Sequence, residues 1–333
     1  MREEDIRPAR LMERYRRLQA EDAAALLSHR DSFAIVPCPA CDSWEQEPTF
    51  EKGGFNFVTC AECKTLYISP RPTASLLAGY YSRSSSLQYW NDYIFPASEH
   101  ARRANIFAPR VKRLAELLER FSPSATTLVD VGAGYGTFLE ELRKLATVEN
   151  LIAIEPSPGL AATCRTRGLT VIEKPVEEVA RTDLPDEVDV VTCFELIEHL
   201  FAPRDFLMVC RSLLGERGLL VLTTPNIQGF DLLTLGPLSD NIGGPNHLNY
   251  FNEASLRLLL GRSGFYVIEC MTPGELDAEI VHKKVVTGEL DLSDQPFLYE
   301  VLVNRWEDLH GYFQAFLAEH NLSSHMWVVA RPA

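Results

Sequence analysis

The stretch Leu128-Val-Asp-Val-Gly-Ala-Gly-Tyr-Gly-Thr-Phe-Leu139 constrains the chain more than any other. A short apolar run ends in Asp130, passes Gly132, Gly134 and Gly136, and continues as Phe138, Leu139, Leu142 and Leu145 at helical spacing. This reads as strand, glycine turn, helix. Glycines belong where a strand turns sharply into a helix, because the backbone must visit positive φ and a ligand must lie against it with no Cβ in the way. The amides of such a loop and the helix N-terminus behind it face an anionic or polar ligand group.

A glycine trio alone is a weak signal. A second buried-strand run, Leu151-Ile-Ala-Ile-Glu155, ends in an acid about twenty residues after the last glycine, the spacing at which a carboxylate reaches ribose hydroxyls. The spacing points to an adenosine-containing cofactor. The glycines read G-x-G-x-G, with an acid two positions before the first, rather than G-x-G-x-x-G. Val-Asp-Val-Gly-Ala-Gly-Tyr-Gly, then Ile-Glu-Pro, then Asp189-Val-Val-Thr-Cys-Phe-Glu-Leu-Ile-Glu-His199 resemble the class I S-adenosylmethionine-dependent methyltransferases, with the motifs in the same order over roughly residues 105–272. The resemblance implies an α/β fold class, Rossmann-like, with a seven-stranded mostly parallel sheet, and S-adenosylmethionine as cofactor.

Strands are expected at Thr127 to Val131, Leu151 to Glu155, Leu169 to Ile172, Val188 to Cys193, Gly218 to Thr223, Tyr266 to Met271 and Met326 to Ala330. In the resembling fold the last two form a terminal hairpin, whereas here about fifty residues intervene. Val281, Val285, Leu298, Val301, Leu302, Trp306, Leu309, Phe313, Phe316 and Leu317 give that insert a helical pattern. It is read as a lid or specificity element, or as a dimerisation surface, so the chain is a monomer or a homodimer.

Ahead of this core, Cys38-Pro-Ala-Cys41 and Cys60-Ala-Glu-Cys63 are separated by eighteen intervening residues. Two such knuckles supply four thiolates for a closed tetrahedral Zn2+ site, a structural zinc ribbon with strands around Gly53-Gly54. Redox dithiols or disulfides are the competing readings, and the intracellular context weighs against them. The other four cysteines are scattered singly. The division expected is an N-terminal helical segment at 1–36, the ribbon at 37–70, a helical and aromatic cap at 71–104, and the methyltransferase domain at 105–333 with its insert at about 273–324.

With 333 residues and 46% hydrophobic content the chain can bury a sizeable core. Its formal charge of -14, from 32 basic and 46 acidic side chains, repels a phosphate backbone, so an extended nucleic-acid duplex is not the expected substrate. Arg7, Arg10, Arg14, Arg16 and Arg17 form a local exception, read as a solvated helix. No run reaches the roughly 18 to 20 apolar residues of a membrane span, and Met1-Arg-Glu-Glu-Asp lacks the apolar core of a signal peptide, so no membrane partner is expected and the cytoplasm is the expected compartment.

Residue by residue, the resemblance places Asp130 near the cofactor ammonium or on the loop's own amides. Gly132, Ala133 and Gly134 form the close approach, and Glu155 with Pro156 meets the ribose. An acid after the third strand often meets the adenine in the resembling family. Pro175 stands near that place here, leaving Val176 and Glu177 as the substitutes. Cys193, Phe194 and Glu195 resemble the wall of the methionine pocket, with Cys193 a packing residue rather than a nucleophile. Glu195, Glu198 and His199 are expected on neighbouring turns of one helix start, with His199 orienting the pocket. Tyr81, or Tyr80, is expected to help cover the cofactor.

A hydroxyl acceptor needs a base, and imidazole suits neutral pH. His247, with Tyr250 as alternative, is the candidate, against a structural histidine capping the next helix. Asn226 and Asn246 are candidates to bind a polyhydroxylated acceptor. A ribbon ahead of this core resembles deoxysugar C-methyltransferases and ribosomal-RNA guanine methyltransferases. The chain is short for the former and acidic for the latter. Its resemblance to ribbon-bearing chains of bacterial surface-polysaccharide pathways implies a small-molecule acceptor, a sugar or sugar nucleotide. The rival class is an interaction module in which the ribbon recruits the core to a protein or RNA, although Lys52 and Lys64 are the ribbon's only lysines. A cofactor binder without activity is the third reading.

Overall fold

All five side chains of Thr127–Val131 are buried, which makes this run an interior strand with neighbours on both sides. The computed structural model describes residues 2–333, so the first residue of the expected N-terminal segment lies outside it. Among the described residues the strands are β1 (Gln46–Lys52), β2 (Phe55–Cys60), β3 (Leu66–Ile68), β4 (Thr127–Val131), β5 (Asn150–Ile154), β6 (Thr170–Ile172), β7 (Val190–Phe194), β8 (Leu219–Pro225), β9 (Asn249–Tyr250), β10 (Phe265–Met271) and β11 (His325–Pro332). A seven-stranded sheet runs β10-β11-β8-β7-β4-β5-β6, and β1-β2-β3-β9 form a second sheet.

The chain divides into two compact units: one holds the chain up to Pro96, Thr224–Leu256 and Cys270–Trp327, the other Ala97–Thr223, Arg257–Glu269 and Val328–Ala333. This departs from the linear division expected from the sequence. The helices and the small sheet at the start of the chain gather with two later segments into one unit, because their partners lie far along the chain.

In the second unit β4 pairs in parallel with β5 and β7, β5 with β6, and β7 with β8. The Asp189 carboxylate accepts from the Thr126 and Thr127 amides at 2.8 and 2.9 Å, which fixes the register at the entrance to β4. The amphipathic helix Ala108–Phe121 buries Val111, Leu114, Leu117 and Leu118. Gly136 sits at φ 70 immediately before the helix Thr137–Arg143. A Cβ there would lie 2.5 Å from Leu169 Cδ1 and 2.9 Å from Cys164 Sγ, so the third glycine of the trio serves packing.

In the first unit Gly53 and Gly54, at φ 59 and 83, make the two-residue turn that closes β1 on β2 with Lys52 opposite Phe55. β3 continues that sheet, and its far neighbour is β9, Leu66 opposite Tyr250. The sheet of the expected ribbon is therefore completed by residues nearly two hundred positions later. The N-terminal helix Ala9–Leu27 is anchored rather than merely solvated: Asp22 accepts from the Ser85 and Ser86 amides at 3.1 and 2.8 Å, and Tyr15 packs on Trp90 at 5.3 Å. The insert is helical as expected, with helices Asp277–Val286 and Trp306–Glu319. Leu235, Ala278, Val281, Leu292 and Leu302 form its buried cluster with the helix Phe230–Leu235.

Gly136→Ala should destabilise the fold by about 1 to 3 kcal/mol, since it adds a Cβ at positive φ against two packed side chains. Urea denaturation checks this, and an unchanged midpoint would contradict it.

Candidate active site

The glycine loop is built on β4 and tied to β5. Gly132 and Gly134 have φ of 75 and 56, and the amides of Gly132 and Ala133 donate to the Ile154 carbonyl at 2.9 and 3.3 Å. Over Gly134 a Cβ would meet nothing within 4 Å, whereas at Gly132 it would lie 3.1 Å from Leu196 Cδ2. The first glycine is held by packing and the second leaves the loop face clear.

Glu155 follows β5 and is 6% exposed. Its Oε2 accepts from the Gly134 amide at 2.8 Å and its Oε1 from the Ser157 amide at 2.9 Å. Burial raises its carboxyl pKa, and those two amides pull it back. Each oxygen keeps a further lone pair for a ligand hydroxyl. Pro156 stands between Glu155 and Ser157 and leads into the helix Pro158–Thr166.

Asp130 is 3% exposed, and its Oδ1 accepts from Thr192 Oγ1 at 2.6 Å. Burial pushes its carboxyl up to about 7, with Glu155 adding to the rise while the Thr192 hydroxyl and the Arg110 charge oppose it. Arg110 stands 4.4 Å over the Phe194 ring, a cation against a π face. Burial lowers its pKa, and the charges of Glu195, Asp130 and Glu198 act in the opposite sense. It is the cation of this acidic site, and it went unrecognised in the sequence. One signal was available, because Arg110 interrupts the stripe Ile106, Leu114, Leu117 at the four-residue step where an apolar side chain belongs.

Phe194 ends β7 and meets Phe138 edge to face at 4.8 Å. Glu195 follows at φ 51, an uncommon conformation for a side chain of this kind, and its Oε1 accepts from Thr223 Oγ1 at 2.6 Å. The expected helix start does not form here: Ile197–His199 is a single tight turn, and the next helix begins only at Pro203. Glu195 therefore lies off that turn, while Glu198 is buried with its Oε1 4.0 Å from His199 Nε2. Cys193 is 1% exposed, and burial holds its thiol well above the usual range, so it stays protonated as a packing group. Val176 is buried on the short turn Val176–Glu178 after β6, and Glu177 on the same turn is exposed.

The remaining candidates belong to the other unit. Tyr81 lies on the helix Ala74–Arg83, 40% exposed, and its hydroxyl donates to the Asn246 carbonyl at 3.5 Å. Tyr80 donates to Asn246 Oδ1 at 2.5 Å. The His247 Nδ1 lies 3.1 Å from the Asn241 carbonyl, which can only accept, so Nδ1 carries the proton and Nε2 is left as the basic nitrogen. Tyr250 does not suit a base: it is fully buried in β9, donating to the Asn241 carbonyl at 3.2 Å and accepting from the Gly243 amide at 2.9 Å. Its phenol holds the loop that carries His247. Asn226 is likewise engaged with the backbone, its Nδ2 donating to the Ser323 carbonyl at 3.1 Å and its Oδ1 accepting from the Gln228 amide at 3.1 Å.

A second cluster in that unit is the cysteine set. Cys38 Sγ lies 3.4 Å from Cys63 Sγ and Cys41 Sγ 3.5 Å from Cys60 Sγ, and all four sulfurs fall within 4.8 Å of one another. None is bonded to another. Asp42 and Lys64, each following the second cysteine of a pair, both adopt the left-handed conformation at φ 61 and 60, which gives the two knuckles the same turn. The Cys41 thiol is pushed up to about 11 by burial and Cys63 down to about 5 by its hydrogen bond from Cys38. Four sulfurs this close together fit a tetrahedral soft-metal site, zinc above all.

The parallel sheet, the glycine loop and the acid after β5 define a Rossmann-like cofactor-binding domain. The methyltransferase-domain family profile matches residues 82–270, more than half of the chain, and the chain belongs to that family. A ubiquinone biosynthesis O-methyltransferase of Methylococcus capsulatus is 36% identical over 103 residues, covering 29% of this chain and 43% of that protein. A probable S-adenosylmethionine-dependent methyltransferase of Mycobacterium tuberculosis is 30% identical over 157 residues, covering 46% of this chain and 54% of that protein. The chain thus spans about half the length of these curated relatives. Magnesium protoporphyrin IX methyltransferase from Synechocystis PCC 6803, solved with SAH, aligns with a TM-score of 0.49 at 12% identity, over 78% of this chain and all of that one. No helix among the described residues is long and apolar enough to cross a membrane.

Replacing Thr192 with Val removes the donor to Asp130, so the Asp130 carboxyl should titrate above its present value of about 7. Carbon NMR on aspartate-labelled protein measures this directly, and a lower or unchanged value would contradict the assignment.

Proposed function

We propose that the chain is an S-adenosylmethionine-dependent methyltransferase that methylates a hydroxyl of a small polar acceptor. The observation that carries this reading is the Glu155 carboxylate, held by the Gly134 amide at 2.8 Å beside a clear loop face. The cofactor, when bound, supplies a methyl group on a sulfonium centre that is already a good leaving group. Glu155 would accept both ribose hydroxyls, with Pro156 beside it. Gly132, Ala133 and Gly134 would let the cofactor lie against the backbone, and Val176 and Glu177 would flank the adenine. Arg110, stacked on Phe194, supplies the positive charge suited to the methionine carboxylate, and Asp130 and Glu195 supply negative charge suited to its ammonium.

His247 is the proposed base. Its Nδ1 proton is committed to the Asn241 carbonyl, so Nε2 is the nitrogen that would take the acceptor proton. His199 and Tyr81 are assigned to orienting and covering roles. The acceptor tested first is a sugar or sugar nucleotide, through the resemblance to ribbon-bearing sugar methyltransferases. A phenolic hydroxyl is the second, because the curated relatives include proteins named for ubiquinone biosynthesis O-methylation. The four cysteines would hold one structural Zn2+, closing the small sheet in place of a large core.

Glu155→Ala should weaken S-adenosylmethionine binding about a hundredfold or more, as expected for loss of two charge-assisted hydrogen bonds, with an unchanged far-ultraviolet dichroism spectrum. Normal affinity would contradict the ribose assignment. With an accepted substrate, His247→Ala should lower kcat about a hundredfold or more at unchanged cofactor affinity. Elemental analysis should find about one zinc per chain, and chelation should lower the melting temperature. A metal-free chain with four reactive thiols would refute the zinc site.

A further inference from the structure

The helical insert carries a buried pair of acids that the proposed reaction does not use. Asp277 opens the helix Asp277–Val286 and is 2% exposed. Its Oδ2 accepts from Ser323 Oγ at 2.7 Å and Gln314 Nε2 at 2.8 Å, and its Oδ1 from the Ser324 amide at 2.6 Å. Three donors thus surround this carboxyl group. Asp231, on the helix Phe230–Leu235, is 0% exposed with both oxygens buried, and the groups that act on it are Asp277, Ser324 and the Leu232 backbone.

The chain is shaped to bring these groups together. A Cβ on Gly274 would lie 1.7 Å from Ser323 Oγ and 2.6 Å from Asp277 Oδ2, and one on Gly229 would lie 2.2 Å from Ser324 Cα. Only glycine permits either approach.

His325, at the start of β11, accepts from the Trp327 indole at 3.1 Å, and the other charged and titratable groups of the helix Asp277–Val286 are engaged elsewhere. Lys283 pairs with Glu3 and Glu4, and Lys284 with Glu289 and Asp240. Glu279 accepts from the Glu3 amide, while His282 stacks on Trp306 at 3.9 Å and contacts the Leu302 carbonyl through Nδ1. His310 also stacks on Trp306, at 4.9 Å. The charge that acts on Asp231 is that of Asp277.

Two like charges cannot both persist in such a site without a cation. We propose that Asp231 and Asp277 share a single proton and form a latch that pins the start of the insert to the helix Phe230–Leu235 and to the approach to β11, loosening when that proton is lost to solvent. Burial first, and Asp277 second, push the Asp231 carboxyl up to about 7. An acid whose folded value is raised contributes full stability below its unfolded value near 4 and loses that contribution as pH climbs to the folded value. The latch therefore weakens between about pH 4 and 7 and is open in its charged form above.

The test compares the wild type with Asp231→Asn, which mimics the protonated acid, by thermal melting from pH 5 to 8.5. The variant should melt above the wild type at pH 8, and the difference should narrow as pH falls to 5. In the wild type, hydrogen exchange at residues 274–286 and 322–324, corrected for intrinsic rates, should rise from pH 6 to 8.5, and in the variant it should not. A variant that melts below the wild type at pH 8, parallel melting curves, or exchange insensitive to pH would overturn the proposal. So would Mg2+ or Ca2+ raising the melting temperature of the wild type alone, which would make the pair a cation site.

Discussion

The hydrogen bond from the Gly134 amide to the Glu155 carboxylate is the interaction on which the glycine-loop face depends. It joins the loop after β4 to the acid after β5, two strands already paired residue for residue from Thr127 opposite Asn150 to Val131 opposite Ile154. A buried carboxylate is costly unless it is hydrogen-bonded, and here two backbone amides offset that cost. The same contact fixes the left-handed turn at Gly134 and leaves the loop face clear. Around it stand the features of a site built for a charged, polar ligand: Asp130 with its carboxyl pushed up to about 7, Arg110 over Phe194, and Glu195 in a left-handed turn. Perturbed groups in one place are the expected mark of a functional site.

Much of this was legible in the sequence. Strands buried on both faces read as continuous apolar runs, and the observed strands of the large sheet fall within two residues of the runs that announced them. The insert's helices follow from its apolar spacing, and the paired cysteines from theirs. What local pattern could not show was pairing at long range. Nothing near Tyr250 announces that it will sit opposite Leu66 in the small sheet, so its phenol looked available for chemistry when it is buried and bonded to the loop backbone. Arg110 was hidden for the opposite reason, since its role comes from what lies across the fold from an otherwise ordinary amphipathic helix.

Glycine does separate work at separate places. Gly134 keeps the loop clear, Gly136 lets the helix pack on Leu169 and Cys164, and Gly274 makes room for Ser323 beside Asp277. Each is a demand of close approach or backbone conformation rather than of loop flexibility. The two units thus carry distinct chemistry. One holds the glycine-loop face proposed for the cofactor, and the other holds the cysteine cluster, the His247 loop and the buried acid pair.

The central claim is that the Glu155 and glycine-loop face binds S-adenosylmethionine. Calorimetric titration of the purified chain with S-adenosylmethionine and NADH side by side tests it most directly. Saturable binding of S-adenosylmethionine near one per chain, with no heat from NADH, is the predicted result. Binding of NADH alone, or silence toward both, would contradict the claim.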